Sequence, residues 1–226
     1  MLTKLKIASA LALTITLASC GSKPTTTDAT AGDTTTTAAA DPSTKSILVF
    51  GDSLSAGYGL DDPSESYPSV LQTKIDSAKL PYTIINGGLS GETSAGGKGR
   101  IDWLLKQHID VFVLELGAND GLRGIPVKET EQNLQTIIDH LKAKYPKAKL
   151  VMLGMQVPPN MGATYVTDFK EMFPKLATKN NMALVPFLLQ GVGGVRSLNQ
   201  KDGIHPTAAG AKILASNVWE VMKGVL

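Results

Sequence analysis

Ile47-Leu48-Val49-Phe50-Gly51-Asp52-Ser53-Leu54-Ser55 changes character at its middle. The first four residues form a short apolar run, β-branched at Ile47 and Val49, which reads as a buried strand. A serine follows directly, with glycine two places before it. That order suits a sharp turn lifting the hydroxyl out of a sheet, the logic of the G-x-S-x-G elbow without its second glycine. The same residues also read as an ordinary strand-to-helix turn capped by Asp52 or Ser53.

Downstream the alternation continues. A helix begins near Ser66 with Pro68 in its first turn and Val70, Leu71 and Ile75 on one face. Tyr82 to Ile85 predicts a second strand, then a helix around Ile101, Trp103, Leu104 and Leu105, then a third strand from Val111 to Leu116. A long helix carries Leu134, Ile137, Ile138 and Leu141 and stops before Pro146. Leu150 to Leu153 is a fourth strand, followed by a helix with Phe169, Met172, Phe173 and Leu176. Ala183 to Val185 is a short fifth strand, and Pro206 is expected to open a last helix carrying Ala209, Ile213, Leu214, Val218 and Met222. Trp103 and Trp219 read as core or near-core residues. The expected fold is α/β: a three-layer α/β/α sandwich on a five-stranded parallel sheet.

In such sheets ligands bind beyond the carboxyl ends of the strands. The second strand leads into Asn86-Gly87-Gly88-Leu89-Ser90-Gly91-Glu92-Thr93, where glycines permit close backbone approach or a plain flexible loop. The third leads into Gly117-Ala118-Asn119-Asp120-Gly121; the Asn119 amide suits an oxyanion donor or a turn. Near the end stands Asp202-Gly203-Ile204-His205-Pro206. A carboxylate three residues before a histidine can orient the imidazole, cap a helix or supply half a metal site. No further His, Cys or acidic cluster accompanies it, so neither metal nor cofactor is expected. Glu115, inside an apolar strand, needs a partner or partial solvation. His108 and His140 read as surface residues near helix ends.

Taken in order, these strings resemble the SGNH, or GDSL, hydrolase family from about Ile47 to Leu226, and the thioesterase I/lysophospholipase/arylesterase branch most closely. The matching strings are Gly51 to Tyr58, Ser90 to Ser94, Glu115 to Gly124 and Asp202 to Pro206. The resemblance implies a flavodoxin-like sheet, Ser53 as nucleophile, His205 as general base and Asp202 as its orienter. It implies an oxyanion hole from the Ser53 and Gly91 backbone N–H groups and the Asn119 side chain. Substrates by resemblance are aryl esters, acyl thioesters and lysophospholipids. An envelope-sugar O-deacetylase is the alternative within the same chemistry, and a non-catalytic ligand-binding lipoprotein the alternative outside it.

Two loops beyond the strands, Gly121 to Pro126 and Met155 to Ala163, mix apolar residues with Gly and Pro. Leu122, Pro158, Pro159 and Met161 are therefore expected to wall an apolar acyl groove. Phe187 to Val195 either lines that groove or connects elements.

Upstream, Lys4 and Lys6 precede an apolar run from Ile7 to Leu17, shorter than the roughly 20 residues of a membrane span. It ends in Leu17-Ala18-Ser19-Cys20, which resembles the lipobox of bacterial lipoproteins, and Cys20 is the only cysteine. Residues 1–19 are expected to be a lipoprotein signal peptide and Cys20 the lipidated N-terminus. Residues 20–45, rich in Thr, Ala, Asp and Gly, form an expected disordered tether, and 46–226 the hydrolase domain. That places the protein on the bacterial envelope, at the periplasmic face, with the outer membrane favoured in a Gram-negative host because Gly21 rather than Asp follows the cysteine. The chain has 22 basic and 20 acidic residues; without Lys4 and Lys6 the two balance. No basic surplus or patch points to nucleic acid.

Overall fold

The computed structural model describes residues 44–226. The expected signal peptide, Cys20 and nearly all of the tether lie outside the described residues. Five strands pair in parallel in the order β2-β1-β3-β4-β5: β1 Lys45–Gly51, β2 Tyr82–Asn86, β3 Val111–Glu115, β4 Lys149–Leu153 and β5 Ala183–Val185. The expected five-stranded parallel sheet is present. Strand β1 is buried from Ile47 to Gly51, and every residue of β3 is buried, as central parallel strands covered on both faces require.

Among the described residues seven α-helices connect and cover the strands: α1 Ser53–Ala56, α2 Tyr67–Ser77, α3 Ser94–Leu104, α4 Ala118–Leu122, α5 Val127–Lys144, α6 Ala163–Asn180 and α7 Ala208–Met222. Helix α2 packs against α7, while α3 packs against α5 and α5 against α6, which gives the two outer layers. The strand order turns at β1, with β2 on one side and β3 on the other. Such a switch point leaves a crevice at the carboxyl ends of the strands, and α1 and α4 begin just there.

Two expectations fail for local reasons. Trp103 is 65% exposed. The buried stripe of α3 is Ser94, Gly97, Ile101 and Leu104; at about 100° per residue, position 103 lies some 200° around from Ile101 and faces away. Pro206 does not open the last helix. Thr207 caps α7 by accepting the Gly210 N–H, so the helix starts at Ala208. Pro206 instead pairs with Asn199 in a small antiparallel bridge. Ala209 is exposed, and the buried face of α7 runs through Ala211, Leu214, Ala215, Val218 and Met222. Phe187 to Val195 connects elements: Leu188 and Val192 are buried in the core, and the Leu188 N–H donates to the Gly154 carbonyl at 2.9 Å.

Candidate active site

Strand β1 ends at Gly51, where an added Cβ would overlap Ser55 Oγ and Glu115 Oε2. Glycine is required there because a buried carboxyl already fills the space. Asp52 then caps α1, its Oδ1 accepting the Leu54 N–H at 3.0 Å. Gly57 ends the helix in the left-handed region after a single turn, so Ser53 stands at the first helical position. Glu115 accepts the Asp52 N–H at 3.1 Å and the Ser55 hydroxyl at 2.8 Å, while its Oε1 has no partner among the described residues. It is fully buried rather than partly solvated. Burial first, and then the neighbouring Asp52 carboxylate, push its carboxyl well up.

The Asp202–His205 pair rides on a hairpin. Gln200 N–H donates to the His205 carbonyl at 2.7 Å, Gly203 N–H closes the turn onto the Gln200 carbonyl, and Gly203 takes φ +73°. At the tip, Asp202 Oδ1 accepts the backbone N–H groups of Ile204 and His205, and Oδ2 lies 2.6 Å from His205 Nδ1. The bond from His205, then the two backbone N–H groups, hold the Asp202 carboxyl down at about 2. A charged carboxylate only accepts, so Nδ1 carries the imidazole proton and Nε2 is left as the acceptor. His205 Nε2 lies 2.9 Å from Ser53 Oγ. Residues 152 apart in sequence thus form one continuous chain of hydrogen bonds.

The Asn119 amide stands next to Ser53 through its bond to Asp52. Asn119 sits in the first turn of α4 and donates one amide hydrogen to Asp52 Oδ2 at 3.1 Å, leaving its second hydrogen available. Burial pushes Asp52 up to about 6, against the bonds from Leu54 and Asn119 that favour its charge. Above that pH the carboxylate grips the amide in a charge-assisted bond. Buried Asp120 accepts from Ser94 N–H and Ser94 Oγ, tying α4 to the start of α3. Gly91 takes φ +79°, and neither its N–H nor that of Ser53 has an acceptor among the described residues. The glycine pair before it serves close packing: a Cβ at Gly88 would overlap the backbone of Ala56. Arg100 donates to the Gly87 carbonyl at 2.7 Å and pairs with Glu92, holding this loop down.

Leu122, Pro158 and Pro159 are exposed and Met161 is half-buried against the core. A Cβ at Gly121 would overlap Val157, so the loops after β3 and β4 lie side by side. His108 and His140 are surface residues bonded to Asp110 and Asp102. Three residues near the site escaped the sequence reading as functional groups. The Tyr58 ring lies 4.6 Å from the His205 ring, Arg123 donates to the Gly91 carbonyl at 3.0 Å, and Gln200 donates to the Tyr58 carbonyl at 2.7 Å. Tyr58 and Arg123 stand inside the motif strings. Gln200 has no motif to mark it, because its partners are backbone carbonyls.

A serine hydroxyl bonded to an imidazole whose other nitrogen faces a carboxylate, with the Asn119 amide held beside it on Asp52, is an arrangement suited to acyl transfer. Residues 49–213 match the GDSL-like lipase/acylhydrolase family. The chain is 42% identical over 183 residues to the esterase TesA of Pseudomonas aeruginosa, covering 80% of this chain and 90% of that one. It is 40% identical over 161 residues to thioesterase 1/protease 1/lysophospholipase L1 of Escherichia coli K12, covering 71% of this chain and 74% of that one. Among solved structures, the psychrotrophic esterase EstA from Pseudoalteromonas sp., inhibited by monoethylphosphonate, is similar with a TM-score of 0.75 and 34% identity, over 80% of this chain and 98% of that chain.

Proposed function

The chain belongs to the GDSL-like lipase/acylhydrolase family and is a carboxylic ester hydrolase, and from that premise we propose that it cleaves acyl esters and thioesters through an acyl-enzyme on Ser53. The observation that carries this is the Ser53–His205–Asp202 chain, with contacts of 2.9 and 2.6 Å. Ser53 Oγ attacks the acyl carbonyl while its proton passes to His205 Nε2, and Asp202 stabilises the imidazolium. The carbonyl oxygen becomes an oxyanion facing the Ser53 and Gly91 N–H groups and the Asn119 amide. The tetrahedral intermediate then expels the alcohol, or the thiol of a thioester, which takes the proton from His205. Water attacks the acyl-enzyme by the same steps, returning the free acid and Ser53.

The direct test is covalent labelling with a fluorophosphonate, which reacts rapidly only with an activated serine. Wild type is expected to label at Ser53, Ser53→Ala not at all and His205→Ala only slowly. Undiminished labelling of Ser53→Ala overturns the assignment.

The proposal extends to acyl length. We propose that Leu122, Pro158, Pro159 and Met161, on the adjacent loops after β3 and β4, receive the acyl chain and favour chains longer than acetyl, each added methylene contributing at most about 0.8 kcal/mol. Met161→Asp is then expected to lower kcat/KM for a medium-chain ester far more than for an acetyl ester. Equal loss on both removes this loop from the groove.

We propose further that lipidation at Cys20 holds the enzyme on the envelope membrane. In the native host the protein is expected in the membrane fraction and Cys20→Ser to remain unprocessed at that site. A soluble wild-type product cleaved elsewhere rules this out.

A further inference from the structure

Ser53 and His205 must meet within hydrogen-bond reach, yet they belong to different parts of the fold. Ser53 is held by β1 and the Asp52–Glu115 contact at the centre of the sheet. His205 stands on the hairpin before α7, closed by the Asn199–Pro206 bridge. Hydrogen bonds within the hairpin fix Asp202 against His205 but say nothing about the distance to Ser53.

Gln200 spans that seam. Its side-chain Nε2 has two hydrogens. One is donated to the Tyr58 carbonyl at 2.7 Å, on the segment leaving α1, and the other to the Pro206 carbonyl at 2.9 Å, beside His205. Its main-chain N–H donates to the His205 carbonyl at 2.7 Å, and its own carbonyl accepts the Gly203 N–H at 2.9 Å. A second observation agrees. Gly59 has φ +71°, and a Cβ there would overlap the Gln200 amide, so the segment beside Tyr58 is shaped to receive this side chain. The Tyr58 ring against His205 lies on the same seam, and its backbone carbonyl is the group that Gln200 holds.

Resting on the reading of Ser53 as nucleophile and His205 as base, we propose that Gln200 is a positioning residue: its amide clamps the His205 hairpin to the Ser53 segment and sets the Ser53–His205 contact. Both ends of the clamp are carbonyls, so the side chain must donate twice. Glutamine does so, and an ionised glutamate of the same size cannot. Gln200→Glu would place carboxylate oxygens against two carbonyl oxygens and push the segments apart. Gln200→Ala would simply release them. Displacing a catalytic group by about 1 Å costs up to about 100-fold in rate.

The test uses the full-length chain, with Gln200→Glu, Gln200→Ala and Ser53→Ala assayed on one p-nitrophenyl ester. Fluorophosphonate labelling rates and Tm are measured alongside. Both Gln200 variants are expected to lose about 10- to 100-fold in kcat with KM within about twofold, and to label more slowly by the same factor. Gln200→Glu is expected to lose at least as much as Gln200→Ala, although it preserves the side-chain volume. The clamp is overturned if both variants keep kcat within about twofold of wild type, or if their losses vanish when assayed well below their own Tm. Turnover in Ser53→Ala within about tenfold of wild type would instead remove the catalytic reading itself. An inactive Ser53→Ala beside fully active Gln200 variants removes the clamp alone.

Discussion

Ser53→Ala is expected to lower kcat by about six orders of magnitude while leaving KM for the ester nearly unchanged. In the proposed mechanism Ser53 and His205 act as one unit, because His205 Nε2 lies 2.9 Å from Ser53 Oγ and takes its proton. His205→Ala should therefore cost nearly as much, and the double variant no more than either single one. Hydrolysis followed under substrate saturation measures each value. A double variant far slower than both singles would mean that the two side chains work independently. Residual turnover should remain above the uncatalysed rate, since the Asn119, Gly91 and Ser53 donors persist. The substitutions also separate chemistry from folding. Ser53 is a small side chain at the start of a one-turn helix whose cap is Asp52, so Tm should hardly move.

Asn119→Ala is expected to lower kcat by about two to three orders of magnitude, again with little change in KM. An oxyanion donor binds the developing charge more strongly than the ground-state carbonyl, so its loss falls on the transition state. Asp52 orients the amide through the 3.1 Å bond from Nδ2. Asn119→Asp should be at least as damaging as alanine, since a carboxylate would meet both the oxyanion and Asp52. Steady-state kinetics on one ester decide it. A raised KM with an unchanged kcat would make Asn119 a ground-state binding residue and leave the oxyanion to Ser53 and Gly91.

Much of this molecule was readable from short stretches of sequence, because the physics involved is local. Alternating apolar runs and amphipathic stretches encode strands and helices within windows of about a dozen residues. That was enough for the parallel sheet and for the positions of Ser53, Asn119 and the Asp202–His205 pair at the ends of its elements. An Asp and a His three residues apart share one loop whatever the rest of the chain does. Trp103 went wrong because the phase of a helix depends on which face its neighbours cover, here the Ile101 and Leu104 stripe. Pro206 misled because Thr207 supplies the cap one residue later.

What only the tertiary structure decided are relations between distant segments. The sequence placed Glu115 in a strand, but its full burial and its contact with the Asp52 N–H arise from β1 pairing beside β3, with Gly51 opposite Glu115. That pairing explains why Gly51 must lack a side chain and why the Glu115 carboxyl is pushed up. The Gly87–Gly88 pair, legible as a loop, is in fact a close approach to Ala56. Gln200 was invisible, since amide bonds to the carbonyls of Tyr58 and Pro206 leave no pattern in residue types. Short-range propensities fixed each catalytic group onto its own element, and long-range packing alone brought those groups to within a hydrogen bond of each other.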